Sequence, residues 1–314
     1  MMNLTRNDCL SYLKEHDNYL LLTHIRPDGD TLGSAAALCR ILRRCGKNCY
    51  LLPNAEITDV YVPLIQPYFA PEDYRFETVL SVDVATERLL PSNVNFPVDF
   101  CIDHHPTNSN FAAQTYCRPE CAACGEIILD LAEALVSEPD VETANLLYIA
   151  VSTDTGCFVY ANTTADTHRA AEKLIRAGAE IKPLNKTFFR TFRYSRLKLE
   201  GLIYNTMRRY HNGEVNVAVV TKRMMADCEA DENDCEDIAS LVGRIAGSRI
   251  SVTVRELDDG ESKVSIRSDE FFDSSAICAL HGGGGHRMAA GCSLMLSPEE
   301  TANIIVREIE DALR

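Results

Sequence analysis

Tyr19-Leu20-Leu21-Leu22-Thr23-His24-Ile25-Arg26-Pro27-Asp28-Gly29-Asp30-Thr31-Leu32-Gly33-Ser34-Ala35-Ala36-Ala37-Leu38-Cys39-Arg40-Ile41-Leu42 reads as a strand, a loop and a helix in succession. Residues 19–23 form a short apolar run, the mark of a buried strand. Pro27 and Gly29 interrupt it. From Thr31 onward the composition is helical, and Gly46 stops the helix. The same grammar returns downstream. Thr78-Val79-Leu80-Ser81-Val82 is a strand ending at Asp83, and Val98-Asp99-Phe100-Cys101-Ile102 is one ending at Asp103. Strands alternating with helices predict an α/β fold with a mostly parallel sheet flanked by helices. A first helix is expected from Thr5 to about His16, and residues 125–177 read as mainly helical.

A stretch rich in Arg, Phe and Thr, 186–196, marks a join between domains. The expected layout is a first domain at 1–188, a linker at 189–198 and a smaller α/β domain with a mixed sheet at 199–314. Strands are expected near 215–220, 250–257 and 263–267, then a Gly-rich turn at 282–285. Ser297-Pro298-Glu299-Glu300 opens a last helix, with a Ser cap, Pro in the first turn and Glu three residues after Ser.

The chain has 314 residues and a formal charge of −15. That length supports two ordinary domains with real cores. The charge excludes a long nucleic-acid groove, which needs a basic stripe. It leaves room for a small phosphorylated substrate, because bound cations reverse a local field. No apolar run approaches a membrane span, and the first residues lack a secretory pattern. A cytoplasmic location is expected. Thirteen Cys without a regular framework read as free thiols. Cys117, Cys121 and Cys124 have a spacing that zinc sites use, but no fourth ligand lies nearby in sequence.

The chemistry gathers at strand ends. In open α/β sheets ligands collect beyond the carboxyl ends of strands. Here that edge receives His24, Asp83 and Asp103, with Asp28 and Asp30 in the first loop and His104 and His105 after Asp103. Asp154 follows an apolar helix. Taken singly, each has a bland reading: Asp-Gly-Asp before a helix is commonly a turn and a cap. Together they are a carboxylate and imidazole set that suits manganese, zinc or iron. Two ions about 3.5–4 Å apart share a bridging carboxylate in such sites, and Asp83 is the expected bridge by strand order.

These motifs resemble those of the DHH phosphoesterases: His24-x3-Asp28-x-Asp30, then Asp83, then Asp103-His104-His105, then Asp154-Thr155-Gly156. The resemblance implies one metal on His24, Asp28 and Asp83, and a second on Asp30, Asp83, His104 and Asp154. It makes Asp83, Asp103 and His105 catalytic, with Asp103 orienting a metal ligand from behind and His105 facing the substrate phosphate. The second half carries His281-Gly282-Gly283-Gly284-Gly285-His286, similar to the GGGH motif of the DHH-associated C-terminal domain. Consecutive glycines let backbone N–H groups approach an anion. Gly283, Gly284, Gly285 and His286 are the expected substrate residues, with Arg267 pairing a phosphate.

The layout is similar to the nanoRNase/pAp phosphatase subfamily. That likeness implies hydrolysis of short RNA or DNA oligonucleotides and of 3′-phosphoadenosine 5′-phosphate, with two divalent ions, manganese first and Mg2+ or Co2+ as alternatives. Cys121 and Cys124 depart from the small residues the family tends to place there, which speaks against a metal role for them. Rival readings are a phosphodiesterase of cyclic or linear dinucleotides, a pyrophosphatase, a long-strand exonuclease, and, outside catalysis, a nucleotide-binding sensor.

Overall fold

A computed structural model describes residues 4–235, 238–257 and 260–314. The chain divides into two compact units, Met1–Thr191 and Phe192–Arg314.

The first unit contains, in chain order, α1 (Arg6–Glu15), β1 (Tyr19–Leu22), α2 (Gly29–Arg44), β2 (Cys49–Leu51), α3 (Val62–Ile65), β3 (Thr78–Val82), β4 (Phe100–Asp103), β5 (Gln114–Cys117), α4 (Cys124–Val136), α5 (Val141–Asp154), α6 (Ala165–Arg176) and α7 (Ile181–Phe189). Its five strands lie in the order β2-β1-β3-β4-β5, and every pair is parallel. The central strands β1, β3 and β4 are buried along their whole length. That burial explains their continuous apolar runs, since helices or loops cover both faces of a parallel sheet.

Small residues let α2, α4 and α5 pack closely. A Cβ on Gly29 would meet the Thr153 side chain at 2.4 Å, and one on Gly33 would meet the Leu146 carbonyl at 2.4 Å. The predicted strand 98–102 begins at Phe100 instead, because Asp99 turns its carboxylate to accept from Val79 N at 2.8 Å. Strands β2 and β5 escaped the sequence reading. The first is only three residues long, and the second is a half-exposed edge without an apolar run.

The second unit contains α8 (Tyr194–Thr206), β6 (Arg208–Tyr210), β7 (Val215–Val220), α9 (Lys222–Asp227), β8 (Ile250–Glu256), β9 (Ser262–Ser268), α10 (Ser274–Ala279), β10 (Gly284–His286), β11 (Ala289–Leu294) and α11 (Pro298–Ala312). Its six strands run β10-β11-β9-β8-β7-β6. Among the described residues only β7 and β8 are parallel, so the sheet is mixed. One face buries Val217, Val252, Ile266, Ile305 and Ile309 in a core with α11. The other packs Ala218 and Val220 against Leu199, Ile203 and Leu241. The capping box of Ser297 and Glu300 starts α11 as the sequence indicated.

The division between the two units falls within the expected linker 189–198, where α7 ends at Phe189 and α8 begins at Tyr194. One expectation needs correction: the Gly-rich stretch 282–285 is not wholly a turn. Its second half enters β10, an edge strand paired antiparallel with β11, and Arg287-Met288 make the turn. Close backbone approach explains Gly283 and Gly285. A Cβ at Gly283 would lie 2.2 Å from the Gly291 carbonyl, and Gly285, at φ +140°, would place one 2.5 Å from the Ala289 carbonyl. No helix among the described residues is long and apolar enough to cross a membrane.

Candidate metal centre

The site forms beyond the carboxyl ends of β1, β3 and β4, where α2 starts and α5 ends. His24 follows β1 and turns Nδ1 to the Ile25 carbonyl at 2.7 Å. Its Nε2 lies 3.6 Å from Asp28 Oδ1 and 4.0 Å from Asp83 Oδ2. Asp28 is also the cap of α2, accepting from Asp30 N and Thr31 N. The bland reading of Asp28 therefore holds alongside the chemical one.

Asp30 is buried in the first turn of α2. Its carboxylate accepts from Ser34 Oγ at 2.9 Å, from Cys124 N at 2.7 Å and from Gly125 N at 3.0 Å. The first amides of α4 thus fix the position of its carboxyl group.

Asp83 stands just past β3 with φ +61°. Aspartate is among the few residues that tolerate this left-handed region. The conformation turns its carboxylate between two groups of side chains. Oδ1 faces His104 Nε2 at 3.3 Å and His105 Nδ1 at 3.6 Å, and Oδ2 faces His24 Nε2. Oδ1 is buried and accepts no hydrogen bond, an uncommon state for a carboxylate oxygen in a protein interior.

His104 turns Nδ1 to the Cys121 carbonyl at 3.1 Å. A carbonyl only accepts, so Nδ1 carries the hydrogen and Nε2 keeps its lone pair in the neutral ring. Nε2 then faces Asp30 at 3.7 Å, Asp83 at 3.3 Å and Asp154 at 3.8 Å. Asp154 ends α5, and Asn162 steadies it by donating to its backbone carbonyl at 3.1 Å and its Oδ2 at 3.4 Å. His105 Nδ1 pairs with the fully buried Asp103 at 2.8 Å, and Asn108 Nδ2 donates to the other Asp103 oxygen at 2.6 Å.

Among the described residues, several sets of donor atoms are close enough to hold an ion, Asp83, Asp103 and His105 being one, and two of the sets fit the expected pair. One is His24, Asp28 and Asp83; the other is Asp30, His104 and Asp154. The electrostatics fit that use. Burial, with Asp83 adding, drives Asp30 well above the carboxylate range. Burial also pushes Asp154 up to about 6, with His104 opposing and Asp28 adding. Burial opposes charge on His24, yet Asp28 and Asp83 outweigh it and lift His24 to about 9. His104 rises well above its usual value for the same reason, through Asp83, Asp154 and Asp30. Crowded acids and imidazoles must share protons. Divalent cations replace those protons and remove the conflict.

The remaining predicted residues lie in the second unit. Arg267 on β9 and His286 on β10 both sit opposite Ala289 of β11. They therefore occupy one row and one face of the sheet, about 10 Å apart with a small residue between them. Cys117, Cys121 and Cys124 do not gather as ligands. The Cys117 thiol donates to the His105 carbonyl at 3.4 Å and the Cys124 thiol to the Ile102 carbonyl at 3.7 Å. Sequence reading missed Asn108, Asn162, Ser34 and the α4 amides. Asn162, in Ala161-Asn162-Thr163-Thr164, carries only a turn signal, and backbone donors carry none.

Comparisons with known proteins agree with this architecture. Residues 18–151 match the DHH family, N-terminal domain, and residues 212–314 match the DHHA1 domain. The bifunctional oligoribonuclease and PAP phosphatase NrnA of Thermus thermophilus is 34% identical over 281 residues, spanning 87% of this chain and 83% of that protein. The protein of the same name from Mycoplasma genitalium is 25% identical over 313 residues, spanning 95% of each. Among solved structures, an exopolyphosphatase-related protein from Bacteroides fragilis matches with a TM-score of 0.82 at 23% identity, covering 98% of this chain and 95% of that one. This last likeness is one of fold.

Proposed function

The chain belongs to the DHH family, and on that premise we propose that it hydrolyses short oligoribonucleotides to mononucleotides and 3′-phosphoadenosine 5′-phosphate to AMP. The observation that carries the reading is Asp83, whose two oxygens face separate groups of imidazole and carboxylate donors. His24, Asp28 and Asp83 are the proposed holders of one divalent cation. Asp30, Asp83, His104 and Asp154 are those of the other. Manganese is the proposed ion, since mixed nitrogen and oxygen donors suit it, with magnesium or cobalt as substitutes. When bound, such a pair supplies Lewis-acid charge and an activated water for attack on phosphorus.

The chain's own residues do the rest. The Cys121 carbonyl fixes the His104 tautomer, so that Nε2 is the ligand atom. Asp103 holds the His105 ring through Nδ1, and Asn108 holds Asp103. Nε2 of His105 is the group assigned to donate a proton to the leaving oxygen. In the second unit, Arg267 and His286 are assigned to a phosphate, and the open face of Gly284 lets backbone come near a nucleotide. The thirteen free cysteines support a reducing, cytoplasmic setting.

The test is a parallel assay of purified protein with manganese against 3′-phosphoadenosine 5′-phosphate, linear dinucleotides, longer RNA, cyclic di-AMP and pyrophosphate. Turnover of the first two above the rest is the expected result. Preference for cyclic di-AMP or pyrophosphate would replace this reading. Nucleotide binding without turnover of any of them would make the protein a sensor.

A further inference from the structure

Residues 181–198 hold six Lys or Arg and no Asp or Glu, in a chain whose formal charge is −15. Most cations in and just before this region are already paired. Lys173 meets Glu133 at 2.7 Å, and Arg169 and Arg176 pair with Asp166 and Glu172. Past α7, Arg193 meets Asp231, Arg196 meets Glu200 and Lys198 meets Glu229, at 2.7 to 2.8 Å. Lys182, Lys186 and Arg190 differ. All three are exposed, and none is ion-paired among the described residues.

Their spacing is regular. Steps of four residues return to one side of a helix. Lys182 and Lys186 therefore share a face of α7, and Arg190, its cap residue, continues the row. Each step advances about 6 Å along the axis, on the scale of successive phosphates in an extended single strand. The row also has a direction. Glu180 N donates to Asn145 Oδ1 at 2.8 Å near the start of α5, and Tyr148 of α5 donates to Asn185 at 3.2 Å. At the far end, burial raises the Cys157 thiol while the charge of Arg190 opposes it. Cys157 lies three residues beyond Asp154. The row thus runs alongside α5 toward the end that bears the metal centre.

We propose that Lys182, Lys186 and Arg190 form a landing track for the phosphodiester backbone of an oligonucleotide, beyond the residue being cleaved. The inference rests on the proposed phosphoesterase reading and extends it. Three phosphate contacts would let an acidic protein hold a short strand and would set how substrate length affects binding. A substrate with only one nucleotide has no backbone to lay there. The track therefore separates the two proposed substrates, oligonucleotide and 3′-phosphoadenosine 5′-phosphate.

The experiment compares the wild type with the Lys182→Ala/Lys186→Ala/Arg190→Ala variant, both loaded with manganese. Binding of a fluorescent, hydrolysis-resistant pentanucleotide is read by anisotropy across a salt series, and turnover of both substrates is read separately. Pentanucleotide affinity should fall about tenfold, and the slope of log affinity against log salt should drop by about 2 units, from roughly 0.7 per phosphate released. Turnover of 3′-phosphoadenosine 5′-phosphate should not change. A Lys182→Arg/Lys186→Arg variant should bind like the wild type. Unchanged affinity and slope in the triple variant would overturn the track. So would an equal loss on both substrates, or displacement of the strand by an acidic peptide of matched charge as readily as by unlabelled RNA. A wild type that binds the strand but hydrolyses neither substrate would refute the phosphoesterase reading while leaving the track standing on its binding data.

Discussion

Asp103 Oδ1 lies 2.8 Å from His105 Nδ1, so the first residue of the Asp-His-His triplet holds the third and not the second. The resemblance implied that Asp103 orients a metal ligand; its carboxylate pairs instead with His105, the residue expected to face the phosphate. Burial opposes a charge on His105, but Asp103 outweighs it and raises the His105 pKa. Asp103→Asn removes the charge and keeps the shape. Its kcat is expected to fall about 10- to 100-fold, the usual loss for an outer partner of a site. The His105 pKa should fall, moving the matching limb of the pH–rate profile to lower pH. Metal content, measured by elemental analysis, should stay at the wild-type level; a parallel loss of metal would make Asp103 a ligand holder.

Asp83 joins both donor groups, so its removal should affect both ions at once. Asparagine tolerates the left-handed backbone at φ +61° that Asp83 adopts, whereas alanine there costs about 1–3 kcal/mol. Asp83→Asn should therefore fold with near-normal stability, bind less manganese and lose turnover. Asp83→Ala should show the same losses and a lower Tm as well. An Asp83→Asn protein with full metal content and activity would remove Asp83 from the bridging role.

The strand-loop-helix grammar was legible because a parallel sheet buries its strands on both faces. Tyr19, Leu20, Leu21 and Leu22 are all buried, and periodicity needs only that. The edge strands β2 and β5 lack such a run and were invisible. Chemistry was legible where a side chain does it: His24, Asp28, Asp30, Asp83, His104 and Asp154 lie within reach of one another. What holds those side chains was not. Asp30 rests on the amides of Cys124 and Gly125, and His104 on the carbonyl of Cys121. A backbone group has no letter in the sequence, so only the fold can reveal it.

The four glycines before His286 are not equivalent. Gly283 and Gly285 are held by close backbone contacts, whereas a Cβ at Gly284 would meet nothing within 4 Å. Gly283→Ala and Gly285→Ala should each destabilise the protein by about 1–3 kcal/mol, seen as a lower Tm. Gly284→Ala should leave Tm unchanged and raise KM if nucleotide approaches that bare backbone. A Gly284→Ala enzyme with wild-type KM would show that the glycine serves no substrate contact.

Stability toward acid should depend on Asp140, at the opposite end of α5 from Asp154. Its carboxylate caps the helix by accepting from Thr143 N, and Arg40 grips it through Nε and Nη2 at 2.8 to 3.0 Å. Burial would raise its pKa, but Arg40 and the Thr143 amide outweigh that and hold it well below the usual carboxylate range. A carboxylate depressed in the folded state stabilises the protein above its unfolded pKa of about 4. That contribution disappears as pH falls through the folded value. Asp140→Ala loses cap and pair together, and should cost about 1–2 kcal/mol at pH 7. Asp140→Asn keeps a capping oxygen and should lose less. Urea titrations at pH 7, 5, 4 and 3 should show the gap between wild type and Asp140→Asn constant down to about pH 4 and narrowing below it. A gap that stays constant to pH 3 would mean that the Arg40 pair adds nothing beyond the cap.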